Sequence, residues 1–80
     1  SAGLFLAQNL HRQGYRVFVH DPGATPANCP SIHEFERLDS PADLSQRTEV
    51  KLVVVCCPWP QYKHLKLPPG ARLLSPWRLT

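Results

Sequence analysis

The sequence predicts an α/β fold, a three-layer sandwich in which helices cover a small, mostly parallel sheet. Three observations lead there. Ala2 to Pro22 reads as an amphipathic helix, a glycine stop, a short apolar strand and an Asp-Pro exit, the repeating half of an α/β unit. Lys51 to Cys57 (KLVVVCC) is apolar at successive positions, as a strand is when both its faces are covered. The rest is short and rich in turn residues, with no internal repeat and no linker long enough to divide 80 residues. A single domain spanning 1–80, with one small core, is therefore expected.

Each element has its own local cause. Leu6 and Leu10 lie four apart, and Gly3, Ala7 and Leu10 follow at steps of four and three. Gln8, Asn9, Arg12 and Gln13 fall on the other side, so the helix has one apolar face. Gly14 follows the last periodic residue, where helices commonly end in a left-handed conformation that glycine adopts cheaply. Val17, Phe18 and Val19 centre a buried strand near 16–20. Gly23 to Ser31 is a connection without periodicity. Ile32, Phe35 and Leu38 mark either a weaker, edge-type strand near 33–38 or an irregular segment. Ser40-Pro41-Ala42-Asp43 starts a short helix that ends by Gln46 or Arg47. Ser40 is its cap, Pro41 its first residue, and Asp43 sits in the reciprocal position of a capping box. KLVVVCC gives the strand near 52–57, which Pro58-Trp59-Pro60 stops. Gln61 to Leu65 forms a helical turn with Trp59, Tyr62 and Leu65 on its apolar side. Leu67 to Gly70 turns the chain into a last strand near 72–75, which ends at Pro76-Trp77-Arg78. Connections between parallel strands are expected to be right-handed.

Composition narrows the function. Hydrophobic residues make up 42% and charged residues 19%, a balance that favours an ordered domain. No apolar run approaches the ~20 residues needed to span a bilayer, so no membrane partner is expected. No basic-then-apolar leader opens the sequence. Nine Lys and Arg against six Asp and Glu leave a net charge of +3. These basic residues are scattered, which argues against a nucleic-acid partner and suits a small anionic ligand such as a nucleotide. Adjacent Cys56 and Cys57 on a strand point to opposite faces and pair poorly with each other. With no CxxC spacing, the thiols suggest a reducing, cytoplasmic setting.

Five short motifs then fall in a telling order: LAQNLHRQGYRV, the strand exit VHDP, the acidic-capped helix Ser40–Leu44 before VVVCC, WPQYKHL, and the closing LLSPWR. In this order the chain resembles the C-terminal, UDP-binding domain of the nucleotide-sugar 6-dehydrogenases, the UDP-glucose/GDP-mannose dehydrogenase family. The likeness spans nearly the whole sequence. It implies a Rossmann-like sandwich, a UDP-sugar as ligand and a homodimer as the assembly. It also implies an intact enzyme that oxidises the sugar C6 alcohol with NAD held by another domain. This chain then carries no cofactor and no catalytic residue. Family members open the domain with a strand bearing a Lys and an Asp-x-Arg, whereas this sequence starts at the helix, and Ser75 stands where the family usually has Asp. A fragment is expected on that reading. Its strands at 16–20 and 52–57 would be separated by a gap or an unprotected edge that invites pairing with another chain.

The candidate site residues are Arg78, Asp21 and Trp59. The resemblance puts Arg78 where an arginine reaches across a subunit boundary toward the nucleotide sugar, and its guanidinium fork matches phosphate oxygens; otherwise it is a solvated arginine. Asp21 leaves a strand at its carboxyl end, where α/β folds collect ligands and where an acid can hold a ribose hydroxyl. Without a GxGxxG, its plainer role is a turn aspartate accepting a hydrogen bond from its own loop. Trp59, with Tyr62 and Trp77, can stack on a base or pack, with a subunit or domain interface as the favoured form of packing. His11, His20, His33 and His64 lack ligand spacing, and Cys29 with His33 lacks a third partner, so no metal is expected. Cys57 could serve as a nucleophile only if a base lowered its pKa. Buried cysteine as a small hydrophobe is the commoner role. Two other functions stay open: an α/β interaction module that has lost nucleotide binding, and a small thiol enzyme.

Overall fold

The computed structural model describes residues 2–24, 27–29 and 34–76. Helix α1 (Ala2–Arg12) leads to strand β1 (Phe18–Val19), then β2 (Glu36–Arg37), a 3₁₀ helix at Pro41–Gln46, β3 (Leu52–Val54), a second 3₁₀ helix at Pro60–His64, and β4 (Arg72–Leu74). The strands form two parallel pairs, β1 with β2 and β3 with β4. The chain divides into two compact units, 1–38 and 39–80, each carrying one pair. The expected mixture of helix and parallel strand is present, with all four strands near their anticipated positions but shorter.

In the first unit, α1 turns the apolar face read from the sequence inward: Ala7 is buried, and Gly3, Leu6 and Leu10 are half-buried. His11 and Arg12 in its last turn suit the negative end of the helix dipole. The helix ends as anticipated at Gly14, whose φ is +93°. Gly14 N–H donates to His11 O at 3.0 Å and Tyr15 N–H to Leu10 O at 3.1 Å, the paired bonds of a Schellman motif. β1 is half-buried rather than buried. Its ladder spans Phe18↔Glu36 and Val19↔Arg37, extended by Leu38 N–H donating to Val19 O at 2.9 Å. Phe35, just before β2, is buried and meets the His11 ring edge-on at 5.7 Å between centroids. Ile32, read as part of this strand, lies outside the described residues.

In the second unit, Ser40 caps the Pro41–Gln46 helix and Pro41 stands at its start, as read. The reciprocal capping box does not form. Ser40 Oγ accepts from Ala42 N–H at 3.3 Å, while Asp43 N–H donates to the Ser40 carbonyl at 3.0 Å. The tighter 3₁₀ winding explains this: its i→i+3 bond already satisfies Asp43 N–H, and Pro41 has no N–H to offer. That leaves Ala42 as the donor in need of an acceptor.

The strand read as 52–57 stops at Val54, and the expectation that both its faces are covered fails: Leu52 is 51% exposed and Val53 and Val54 are half-buried. Register explains the length. Arg72 N–H donates to Lys51 O and Val55 N–H to Leu74 O, each at 3.0 Å. Parallel bonding advances two residues per step, so the next donor, to Val55 O, would be residue 76. That residue is Pro76, which has no N–H. A strand with a single partner also lacks the neighbours that would cover it. β4 is exposed along its length. Burial in this unit falls to Leu44, Val55, Tyr62 and Pro68, spread over both 3₁₀ helices, the end of β3 and the Leu67–Gly70 turn. At that turn Ala71 N–H donates to Pro68 O at 3.2 Å with Gly70 at φ +79°, which identifies a type II turn.

Candidate functional site

Parallel strands direct their carboxyl ends to one edge, and side chains and loop amides leaving that edge are the usual ligand contacts of α/β units. Each unit supplies one such end. In the first, His20 and Asp21 follow β1 directly. Asp21-Pro22-Gly23-Ala24 is a β-turn closed by Ala24 N–H donating to Asp21 O at 3.2 Å. Asp21 Oδ1 also accepts from Gly23 N–H at 2.8 Å, so the carboxylate is engaged in its own loop. Asn28 Nδ2 donates to Gly23 O at 3.0 Å, and Arg37 Nη2, from the end of β2, reaches Ala24 O at 3.4 Å. These bonds tie the Asp21–Ala24 turn to Asn28 and to Arg37 at the end of β2. His20 titrates below its ordinary value. Burial is the main cause, Asp21 opposes it, and the positive charge of Arg37 adds to it.

In the second unit, the chain leaves β3 through Val55, Cys56 and Cys57. Sequence reasoning kept both cysteines in the strand and favoured burial. Both are exposed and lie beyond the ladder, with Cys57 at a bend. Trp59 N–H donates to Cys57 O at 2.9 Å across Pro58, a three-residue γ-turn-type closure that leads into the Pro60–His64 helix. Tyr62 is buried and Leu65 half-buried on that helix's apolar side, but Trp59 at its start is 39% exposed. Cys56 is exposed as a residue, yet local burial of its thiol raises its pKa, and the neighbouring Cys57 charge raises it further. That is the opposite of the activation a nucleophilic cysteine needs.

Of the three residues singled out from the sequence, Asp21 lies at the first strand end and Trp59 at the second, in separate units. Arg78 lies outside the described residues, as do Trp77 and His33. Among the described residues, no group of three or more His, Cys, Asp or Glu is placed to hold a metal ion, and no helix is long and apolar enough to cross a membrane.

Two features escaped the sequence reading. Arg16 forms a two-pronged ion pair with Glu36, Nε to Oε2 at 2.6 Å and Nη2 to Oε1 at 2.8 Å, and its guanidinium lies 4.8 Å from the Phe18 ring centre. The other is an open groove of roughly 360 Å³ lined by Phe5, Gln8, His11, Arg12 and Glu34. Helical spacing puts residues 5, 8 and 12 on one face, a signal available in the sequence. In the sequence alone, Gln8 and Arg12 read simply as the solvent side of the helix. No protein-family model, curated protein or solved structure matches the chain.

Proposed function

We propose that the chain is a UDP-sugar-binding α/β domain of the kind found at the C-terminus of nucleotide-sugar 6-dehydrogenases, without catalytic activity of its own. The observation that carries this reading is the order of its parts. Helix, strand with an Asp-Pro exit, second strand, Ser-Pro-capped turn, apolar strand, Trp-Pro helical turn and closing strand follow one another as the resemblance implies, with parallel pairing throughout. On this reading the two strand pairs belong to one Rossmann-like, three-layer sandwich in a cytoplasmic enzyme that works as a homodimer. Asp21 would face the ribose, Trp59 the base and Arg78 the pyrophosphate or sugar. NAD would belong to another domain of the intact enzyme. None of the four glycines here makes a GxGxxG, so no residue of this chain is assigned to it.

Titration of the 80-residue protein with UDP, followed by amide chemical shifts, tests the proposal. Shifts confined to Asp21–Ala24, Cys57–Trp59 and Arg78 are expected. An unchanged spectrum at millimolar UDP overturns it. A second reading, an α/β interaction module without nucleotide affinity, draws support from the apolar side chains left in solvent. Leu52, Leu73 and Leu74 on the second strand pair are 51%, 44% and 59% exposed, and Phe5 and Tyr15 are 65% and 60% exposed. Exposed apolar patches on small proteins commonly mark partner surfaces. The same titration separates the two, since the module gives no response.

A further inference from the structure

Cys56 and Cys57 form an adjacent pair of exposed residues held at a fixed place in the fold. Upstream, Val55 is buried and bonded to Leu74 O at 3.0 Å. Downstream, Cys57 O accepts from Trp59 N–H at 2.9 Å. The two cysteines sit between these anchors, outside the ladder, so strand geometry no longer forces their side chains to opposite faces. The peptide joining them is trans, which keeps their Cα atoms about 3.8 Å apart. Disulfides ordinarily require at least about 4.4 Å. A direct S–S bond is therefore disfavoured, whereas an atom inserted between the two sulfurs relaxes that constraint.

We propose that Cys56 and Cys57 are a two-sulfur chelating site for a soft, thiophilic centre of the trivalent organoarsenic type. Thiolate sulfur selects soft centres over hard ones. Two sulfurs are fewer ligands than the four tetrahedral zinc takes, and they suit a centre that brings its own third substituent. A monosubstituted arsenic(III) has two positions left, matching the two sulfurs. The condensation balances without a redox partner: two As–S bonds form, the arsenic–oxygen bond is lost, and the oxygen leaves as water with both thiol protons. The site is independent of the UDP reading and stands or falls separately.

The probe is phenylarsine oxide, added to the reduced protein and read by intact-mass spectrometry. One phenylarsenic per chain is expected, gained with loss of one water, persisting in excess monothiol and removed by a small dithiol. Cys29→Ser should retain this adduct; Cys56→Ser and Cys57→Ser should each lose it. Both substituted side chains are exposed, and an unchanged circular dichroism spectrum would verify folding. A wild-type chain with no monothiol-resistant adduct overturns the proposal. So does an adduct that survives Cys56→Ser or Cys57→Ser, or one that is lost in Cys29→Ser.

Discussion

The two units fasten their parallel strands by different means. In residues 1–38 the ladder is two residues long and is reinforced from outside by a polar clamp: Arg16 grips Glu36 through both carboxylate oxygens and lies over Phe18. The clamp follows from register. Phe18 faces Glu36 across the ladder, and Arg16 is two residues before Phe18, hence on the same face of an extended chain. In residues 39–80 the ladder runs three residues, is extended by backbone bonds at both ends, and pairs Val53 with Leu73 and Val54 with Leu74. One pair relies on a charged side chain to supplement few backbone bonds. The other relies on backbone bonds and aliphatic contact. The difference predicts which perturbations each unit feels.

The largest effects should come from the buried side chains, where both units depend on the same physics. Phe35 and Leu44 are each 7% exposed. Truncating them removes apolar burial and leaves a cavity, with typical costs of about 3–5 kcal/mol for Phe→Ala and about 2–5 kcal/mol for Leu→Ala. A small domain has little stability to spare, so each variant should lose part of its circular dichroism signal at 37 °C, from the unit that carries the substitution. Amide exchange sharpens the contrast between the units. Phe35→Ala should deprotect the amide of Leu38, and Leu44→Ala those of Val55 and Arg72. Equal deprotection of all three by either substitution would show that the two pairs melt as one.

How much of this was legible beforehand depended on how local the cause was. The α1 stop at Gly14, the Ser40 cap with Pro41 behind it and the Pro68–Ala71 turn each depend on a few consecutive residues, and each reads directly from the sequence. The limits of β3 do not. They depend on Pro76, some twenty residues away, which matters only once the register with β4 is known. The Arg16–Glu36 clamp joins residues 20 apart and has no linear signature. The exposure of Cys56 and Cys57 is hidden for the same reason: an apolar run indicates a strand but not where its partner stops bonding. Asp21 was legible as a turn aspartate because the turn that holds it is its own next three residues.

A smaller effect should distinguish the clamp from the aliphatic pair. Arg16 and Glu36 side chains remain 57% and 49% exposed, so solvent screens them and their coupling should lie below about 1 kcal/mol. A double-mutant cycle of Arg16→Met and Glu36→Gln, read by urea denaturation, should give that value in low salt and less at 1 M NaCl. Lys51→Met, at the start of the other ladder, should show no comparable salt dependence, because Lys51 Nζ donates to the Thr48 carbonyl rather than to a carboxylate. A salt-insensitive coupling between Arg16 and Glu36 would mean that the contact with Phe18, not the ion pair, holds the clamp.

The smallest expected effect is a pH dependence confined to the first unit. His20 has a folded-state pKa below its unfolded value of about 6.5, because partial burial and Arg37 disfavour the imidazolium more than Asp21 favours it. Between the two pKa values the unfolded chain binds a proton that the folded chain does not. Stability must therefore fall as pH drops through about 6.5 and stop falling, for this group, below the folded pKa. Denaturation midpoints at pH 7.5 and 5.5 should differ less in His20→Gln than in the native chain. Asp21→Asn should widen the native difference, since it removes the carboxylate that opposes the shift. A narrower difference in Asp21→Asn would mean that the Asp21 turn, rather than its charge, governs the surroundings of His20.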